Sequence, residues 1–201
     1  MAVPPSAPPP PAGEPAAPVM MFVGDSFTVG SGPVPRWRTY ATQAARLLGG
    51  QPIIAGAGGT GYLNEGRSGR TFLRSFEAEL SWRPAPDLLV LSGGHNDHRW
   101  SAARVGRAAS ELVGRIKARW PRTRIVMVGP IWLGDPPGKA YRMRDALAAA
   151  AGSRGVPFLD PLQRRWSADS MLPDGVHPTL TGHERLGAWL AGALRGVYQG
   201  P

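Results

Sequence analysis

Val19-Met20-Met21-Phe22-Val23-Gly24-Asp25-Ser26-Phe27-Thr28 is the stretch that decides the fold. Five consecutive apolar side chains leave no solvated face. The run therefore reads as a strand buried on both sides, the pattern of a parallel sheet with helices in front and behind. Gly24 ends the strand, and a serine follows in a tight turn with its hydroxyl exposed. The helix after it aims N-terminal amides at the same point. A lone Gly-Asp-Ser is equally an ordinary helix cap, so its meaning depends on what the rest of the chain brings beside it.

Further strands are expected over residues 52–55, 88–91, 124–128 and 156–159. Between them lie amphipathic stretches. Residues 101–120 place Val105, Ala109, Leu112, Ile116 and Trp120 on one helical face. Helices are also expected over 141–151 and 182–198, the latter with Thr181 and Glu184 as a capping box. Phe72, Phe76 and Leu80 suggest a short helix before the third strand. Strands alternating with helices imply a three-layer α/β/α sandwich on a five-stranded parallel sheet, with the flavodoxin-like order 2-1-3-4-5. Sites in such sheets form at the carboxyl ends of the strands.

Residues 1–18 differ in kind. Their Pro- and Ala-rich composition favours extended backbone and supplies no core, so they read as a disordered tail or linker, with residues 19–201 as the folded domain. As a spacer, the tail points to an extracytoplasmic or cell-envelope setting, although the first residues lack the basic and apolar regions of a secretory signal. No apolar run is long enough to span a bilayer. The 201 residues include no cysteine, which removes disulfides, thiolate metal sites and a cysteine nucleophile. The net charge of +9 comes from 23 basic and 14 acidic residues, the basic ones almost all Arg. They are scattered rather than gathered in a block, which argues against a nucleic-acid partner. A monomer is expected.

The strand ends hold the chemistry. The second strand runs into Gly56-Ala57-Gly58-Gly59-Thr60-Gly61-Tyr62, where backbone N–H groups can approach a ligand closely. The run matches G-x-G-x-x-G, but loop residues follow where the dinucleotide fingerprint needs a helix. The third strand runs into Ser92-Gly93-Gly94-His95-Asn96-Asp97-His98, where Asn96 offers an amide donor. Asp174-Gly175-Val176-His177-Pro178 precedes the last helix. An Asp three residues before a His on a bent loop reaches its Nδ1, fixes its tautomer and leaves Nε2 to take a proton. Asp174, His177 and His183 are also conceivable metal ligands. Neither H-E-x-x-H nor any Cys accompanies the histidines, so no metal and no cofactor is expected. Nucleophile, base, orienter and oxyanion donors are the parts of an acyl-transfer site.

These blocks resemble those of the SGNH/GDSL hydrolase family. Gly24-Asp25-Ser26 is similar to its first block, with Ser26 matching the nucleophile. Gly59, or Gly58 beside it, matches the oxyanion glycine of the second. Gly94-His95-Asn96-Asp97 fits the third, which gives Asn96 a side-chain oxyanion role. Asp174 and His177 match the orienter and base of the last. The resemblance runs over residues 19–198, departing at Ile54, where the family usually has Asn. No G-x-S-x-G elbow is present, which argues against an α/β-hydrolase.

The resemblance implies a serine hydrolase of acyl esters working through an acyl-enzyme, with an oxyanion hole of the Ser26 and Gly59 amides and the Asn96 side chain. It points to short acyl esters, O-acetyl groups on carbohydrate foremost. Thioesters, acyl transfer to another acceptor and a non-catalytic wall-binding module on the same fold stay open. Trp37, Tyr62 and Trp100 are candidate pocket walls, with core or rim packing the equal alternative. Arg36, Arg38, Arg67 and Arg70 are candidates to meet an anionic substrate.

Overall fold

A computed structural model describes residues 16–198. Most of the tail expected over residues 1–18 lies outside the described residues. Five strands form one parallel sheet in the order β2-β1-β3-β4-β5. They are β1 (Val19–Gly24), β2 (Gln51–Gly56), β3 (Leu88–Ser92), β4 (Arg124–Val128) and β5 (Phe158–Leu159). Among the described residues the α-helices are α1 (Ser26–Val29), α2 (Tyr40–Leu47), α3 (Phe72–Ser75), α4 (Ala102–Arg119), α5 (Gly138–Ser153) and α6 (Leu180–Tyr198). A π-helical turn, Phe76–Leu80, continues α3.

The alternation inside β1 builds both faces of the sandwich. Met21 and Val23 point to one side, into a core with Phe72, Leu112 and Leu147 from α3, α4 and α5. Met20 and Phe22 point to the other, against Tyr40, Ala44, Leu186 and Leu190 from α2 and α6. Strand β4 divides the same way, Ile125 and Met127 against Val126 and Val128. Each fully buried side chain of this size contributes roughly 1.5–3 kcal/mol, so both layers are held by the sheet's own two-residue period.

Register places the site. Gly24 at the end of β1 pairs with Gly56 of β2 on one side and Ser92 of β3 on the other. The three loops that follow therefore leave the sheet side by side. The strands approach so closely there that a Cβ on Gly56 would lie 1.9 Å from the Gly24 carbonyl, and Gly56 has φ 116°. Only glycine satisfies both demands.

Several elements differ from the sequence reading. Strand β5 has only two residues, because the backbone N–H of Val156 turns back to the Ala151 carbonyl at the end of α5. Helix α6 begins directly after Pro178 and Thr179. The hydroxyl of Thr179, not Thr181, accepts from the Gly182 amide at 3.0 Å, while Glu184 faces Arg38 at 3.8 Å. Helix α2 was not anticipated. Its packing face is Tyr40 with Ala41, Ala44 and Ala45, too small to register as an apolar stripe.

Candidate active site

Ser26 opens α1 as the first residue beyond the cap. Asp25 caps the helix through Oδ1, which accepts from the Phe27 amide at 3.0 Å. The turn is tight because a side chain on Gly24 would collide with Thr28, at 2.1 Å from its Oγ1. Beneath it the Tyr40 hydroxyl donates to Ser92 Oγ at 2.6 Å and lies 3.0 Å from Thr28 Oγ1. These buried contacts tie α1, α2 and β3 together under the serine. Tyr40 had no place in the sequence reading, since nothing in the sequence marks which tyrosine lies below a strand end.

The 174–178 loop reaches Ser26 from the far end of the chain. It is pinned by the Met171↔Pro178 bridge and by Leu172 N–H donating to the His177 carbonyl at 2.7 Å. Asp174 organises it internally: Oδ1 accepts from the Val176 and His177 amides, each at 2.9 Å. Oδ2 lies 2.7 Å from His177 Nδ1. The hydrogen bond from His177, then the backbone donors, hold the Asp174 carboxyl down at about 2. An ionised carboxylate only accepts, so Nδ1 carries the proton and Nε2 is free to accept. Nε2 lies 3.0 Å from Ser26 Oγ. Ser26, His177 and Asp174 thus form a continuous chain of contacts.

The glycine loop forms the opposite wall. Gly58 and Gly59 both border the cavity beside Ser26. A Cβ on Gly58 would lie 3.8 Å from the Ser26 Cβ, whereas one on Gly59 would face Gly66. The Asn96 amide donates to the Thr60 carbonyl at 3.0 Å and to Asp25 Oδ2 at 3.2 Å. Asp97, fully buried, accepts from three successive amides: Tyr62 at 3.0 Å, Leu63 at 2.9 Å and Asn64 at 3.0 Å. Gly61 is required opposite it, since a Cβ there would come within 2.4 Å of Asp97 Oδ2. The bracing by Asp25 and Asp97 was not foreseen. Both lie inside quoted motifs, but their partners are backbone groups distant in sequence.

Burial pushes the Asp25 carboxyl up to about 7, with the Asp97 charge adding to it and the Phe27 amide opposing it. Burial also raises Asp97, against the pull of its three amide donors.

The remaining candidates divide. Trp100, Arg67, His95 and Arg99 line a cleft of about 1090 Å³ that contains Ser26 and His177. Tyr62 is buried, its ring edge-on to Phe72. Trp37 is 64% exposed and does not border the cleft. Arg36 donates to the Ile54 carbonyl at 3.4 Å, Arg38 pairs with Glu184, and Arg70 pairs with Glu79 at 3.7 Å. His183 turns away from His177: its Nδ1 accepts from the Tyr40 amide at 3.1 Å. The glycine run over 56–61 leads into a loop closed by the Thr60↔Glu65 bridge, not into a helix. Among the described residues, no helix is long and apolar enough to cross a membrane.

A five-stranded parallel sheet in this order, with its loops converging at one end, is the architecture of a class of carboxylic ester hydrolases, and this chain is one of them. Residues 22–185 match the GDSL-like lipase/acylhydrolase family, and the chain belongs to that family. It is 30% identical over 180 residues to the GDSL lipase Rv0518 of Mycobacterium tuberculosis, covering 82% of this chain and 76% of that protein. Among solved structures, the Mycobacterium smegmatis aryl esterase superposes with a TM-score of 0.71 at 20% identity, over 90% of this chain and 99% of that one. Est24, a carbohydrate acetylesterase from Sinorhizobium meliloti, gives 0.74 at 19% identity over the same shares.

Proposed function

We propose that the protein hydrolyses short acyl esters, O-acetyl groups on carbohydrate foremost, through a Ser26–His177–Asp174 triad and an acyl-enzyme. The single observation that carries this reading is the run of contacts from carboxylate to imidazole to hydroxyl, 2.7 Å and then 3.0 Å. His177 Nε2 takes the Ser26 proton as Oγ attacks the ester carbonyl. The imidazolium that forms is stabilised by ionised Asp174. The tetrahedral oxyanion is held by the amides of Ser26 and Gly59, with Gly58 beside it, and by the Asn96 side chain. His177 then protonates the leaving alcohol, and water repeats the sequence to release the acid.

The cleft supports the short-acyl assignment. It is open, and its border mixes Gly58, Gly59, Asn64 and Arg67 with Leu63, Trp100 and Val176. The carbohydrate acetylesterase among its structural neighbours agrees with that choice. The test is a panel of nitrophenyl esters of rising acyl length, with acetylated sugars, run beside Ser26→Ala. Turnover is expected to be highest for acetyl and lost in Ser26→Ala, with fluorophosphonate labelling lost in the same variant. Ester turnover that survives Ser26→Ala overturns the mechanism.

A further inference from the structure

His95 occupies the variable place of Gly94-His95-Asn96-Asp97, and the mechanism above leaves it unused. Its ring is nonetheless held on three sides. One face stacks on Trp132, with centroids 4.2 Å apart and planes at 23°. Phe27, the residue after the nucleophile, packs on it at 5.6 Å. Nδ1 lies 3.1 Å from the Ile131 carbonyl. A carbonyl only accepts, so Nδ1 carries the proton and donates. Burial lowers the pKa of His95; the hydrogen bond to the Ile131 carbonyl opposes this, and the charges of His98, His177 and Lys139 add to it. With the proton on Nδ1 and burial disfavouring a second one, Nε2 presents a lone pair.

That lone pair has no partner among the described residues, yet Nε2 is not sealed in the interior. The residue borders the same cleft as Ser26 and His177. Phe27 links the two imidazoles, packing on His177 at 5.7 Å as it does on His95. A fixed acceptor at the edge of a reaction cleft selects a ligand with a hydroxyl to donate. An alcohol lacking that hydroxyl leaves the acceptor dehydrated and unpaired.

We propose that His95 Nε2 is a specificity-determining acceptor that recognises a free hydroxyl on the alcohol part of the ester, so that the preferred substrates are partly acylated polyols. The inference rests on the ester-hydrolase reading of Ser26 and His177, and it adds the class of leaving group. A sugar and a glycerol backbone share this chemistry.

The deciding experiment compares 2-hydroxyethyl acetate with propyl acetate, which differ by a hydroxyl in place of a methyl. The wild-type protein is expected to favour the hydroxyl ester by roughly five- to ten-fold in kcat/KM, the worth of one neutral hydrogen bond, beyond the ratio of their alkaline hydrolysis rates. In His95→Phe, which keeps a ring between Trp132 and Phe27, the preference is expected to collapse to the alkaline ratio. His95→Gln, which restores an acceptor, is expected to recover part of it. No preference in the wild type, or an equal loss on both esters in His95→Phe, overturns the proposal. The wild-type comparison does not depend on any variant folding. Methyl glucoside monoacetate and monoacetylglycerol, run in parallel, assign the polyol: the one that loses more in His95→Phe is the better match, and a loss on neither counts against the proposal. Propyl acetate turnover in Ser26→Ala is a separate arm, which fails only if the triad reading fails.

Discussion

The Asp25 carboxylate receives the side-chain amide of Asn96 at 3.2 Å, so the residue before Ser26 helps to hold the Asn96 side chain. The second Asn96 contact, to the Thr60 carbonyl, is shorter at 3.0 Å. In the proposed mechanism, a developing oxyanion would compete for the longer Asp25 bond while the Thr60 bond holds the amide. Asn96→Ala is expected to lower kcat by about 10²–10³ with little change in KM. Steady-state kinetics on nitrophenyl acetate check this, and a change confined to KM counts against the oxyanion role.

Asp174 has two separable duties. Its Oδ1 ties the loop together through the Val176 and His177 amides, and Oδ2 sets the imidazole tautomer. Asp174→Asn retains an acceptor for the loop but presents an N–H2 group to Nδ1. Activity is expected to fall by about 10³–10⁴ with the melting temperature nearly unchanged. A circular-dichroism melt beside the kinetics separates the two duties.

Asp97 is a structural brace for the glycine loop. Asp97→Ala removes the acceptor from three consecutive amides at 2.9–3.0 Å. Leaving such donors unsatisfied costs roughly 2–4 kcal/mol in total. Urea denaturation is expected to show that loss, and activity is expected to fall with it as the loop that carries Gly58 and Gly59 loses its support.

Two buried groups give stability opposite slopes with pH. His183, held neutral by burial, has its pKa lowered to about 4. The unfolded chain binds a proton there between about 6.5 and 4 while the folded one does not, so acidification through that window destabilises. Asp25 has its pKa raised to about 7. Below that pH the folded protein holds a proton that the unfolded chain lacks until about 3.9, so acidification stabilises. Each effect has a limiting slope of about 1.4 kcal/mol per pH unit, and the two largely cancel between pH 6.5 and 4. His183→Gln is expected to gain stability on acidification from pH 7 to 5, and Asp25→Asn to lose it. Urea midpoints measured across that range test both signs.

The three-layer architecture and the strand order were readable because burial on both faces leaves an unambiguous mark: β1 and β3 are almost wholly apolar. The tight turn at Ser26 and the i,i+3 contact between Asp174 and His177 were legible because such local constraints are written in neighbouring residues. Helix α2 was not, since alanines pack well without standing out. The capping residue of α6 was misread because Thr179 and Thr181 flank the same turn, and only the start of the helix chooses between them.

From its sequence alone, the chain determines most of its strands, the tight turn at Ser26 and which carboxylate accompanies which imidazole. Those relations are short in sequence and rest on periodicity and local geometry. Tertiary structure alone decided that Asp97 braces residues 62–64, that Tyr40 supports the floor under Ser26, that Tyr62 belongs to the core and that His95 faces the cleft. Each of those depends on strand register and on segments dozens of residues apart meeting, and no local pattern encodes the meeting.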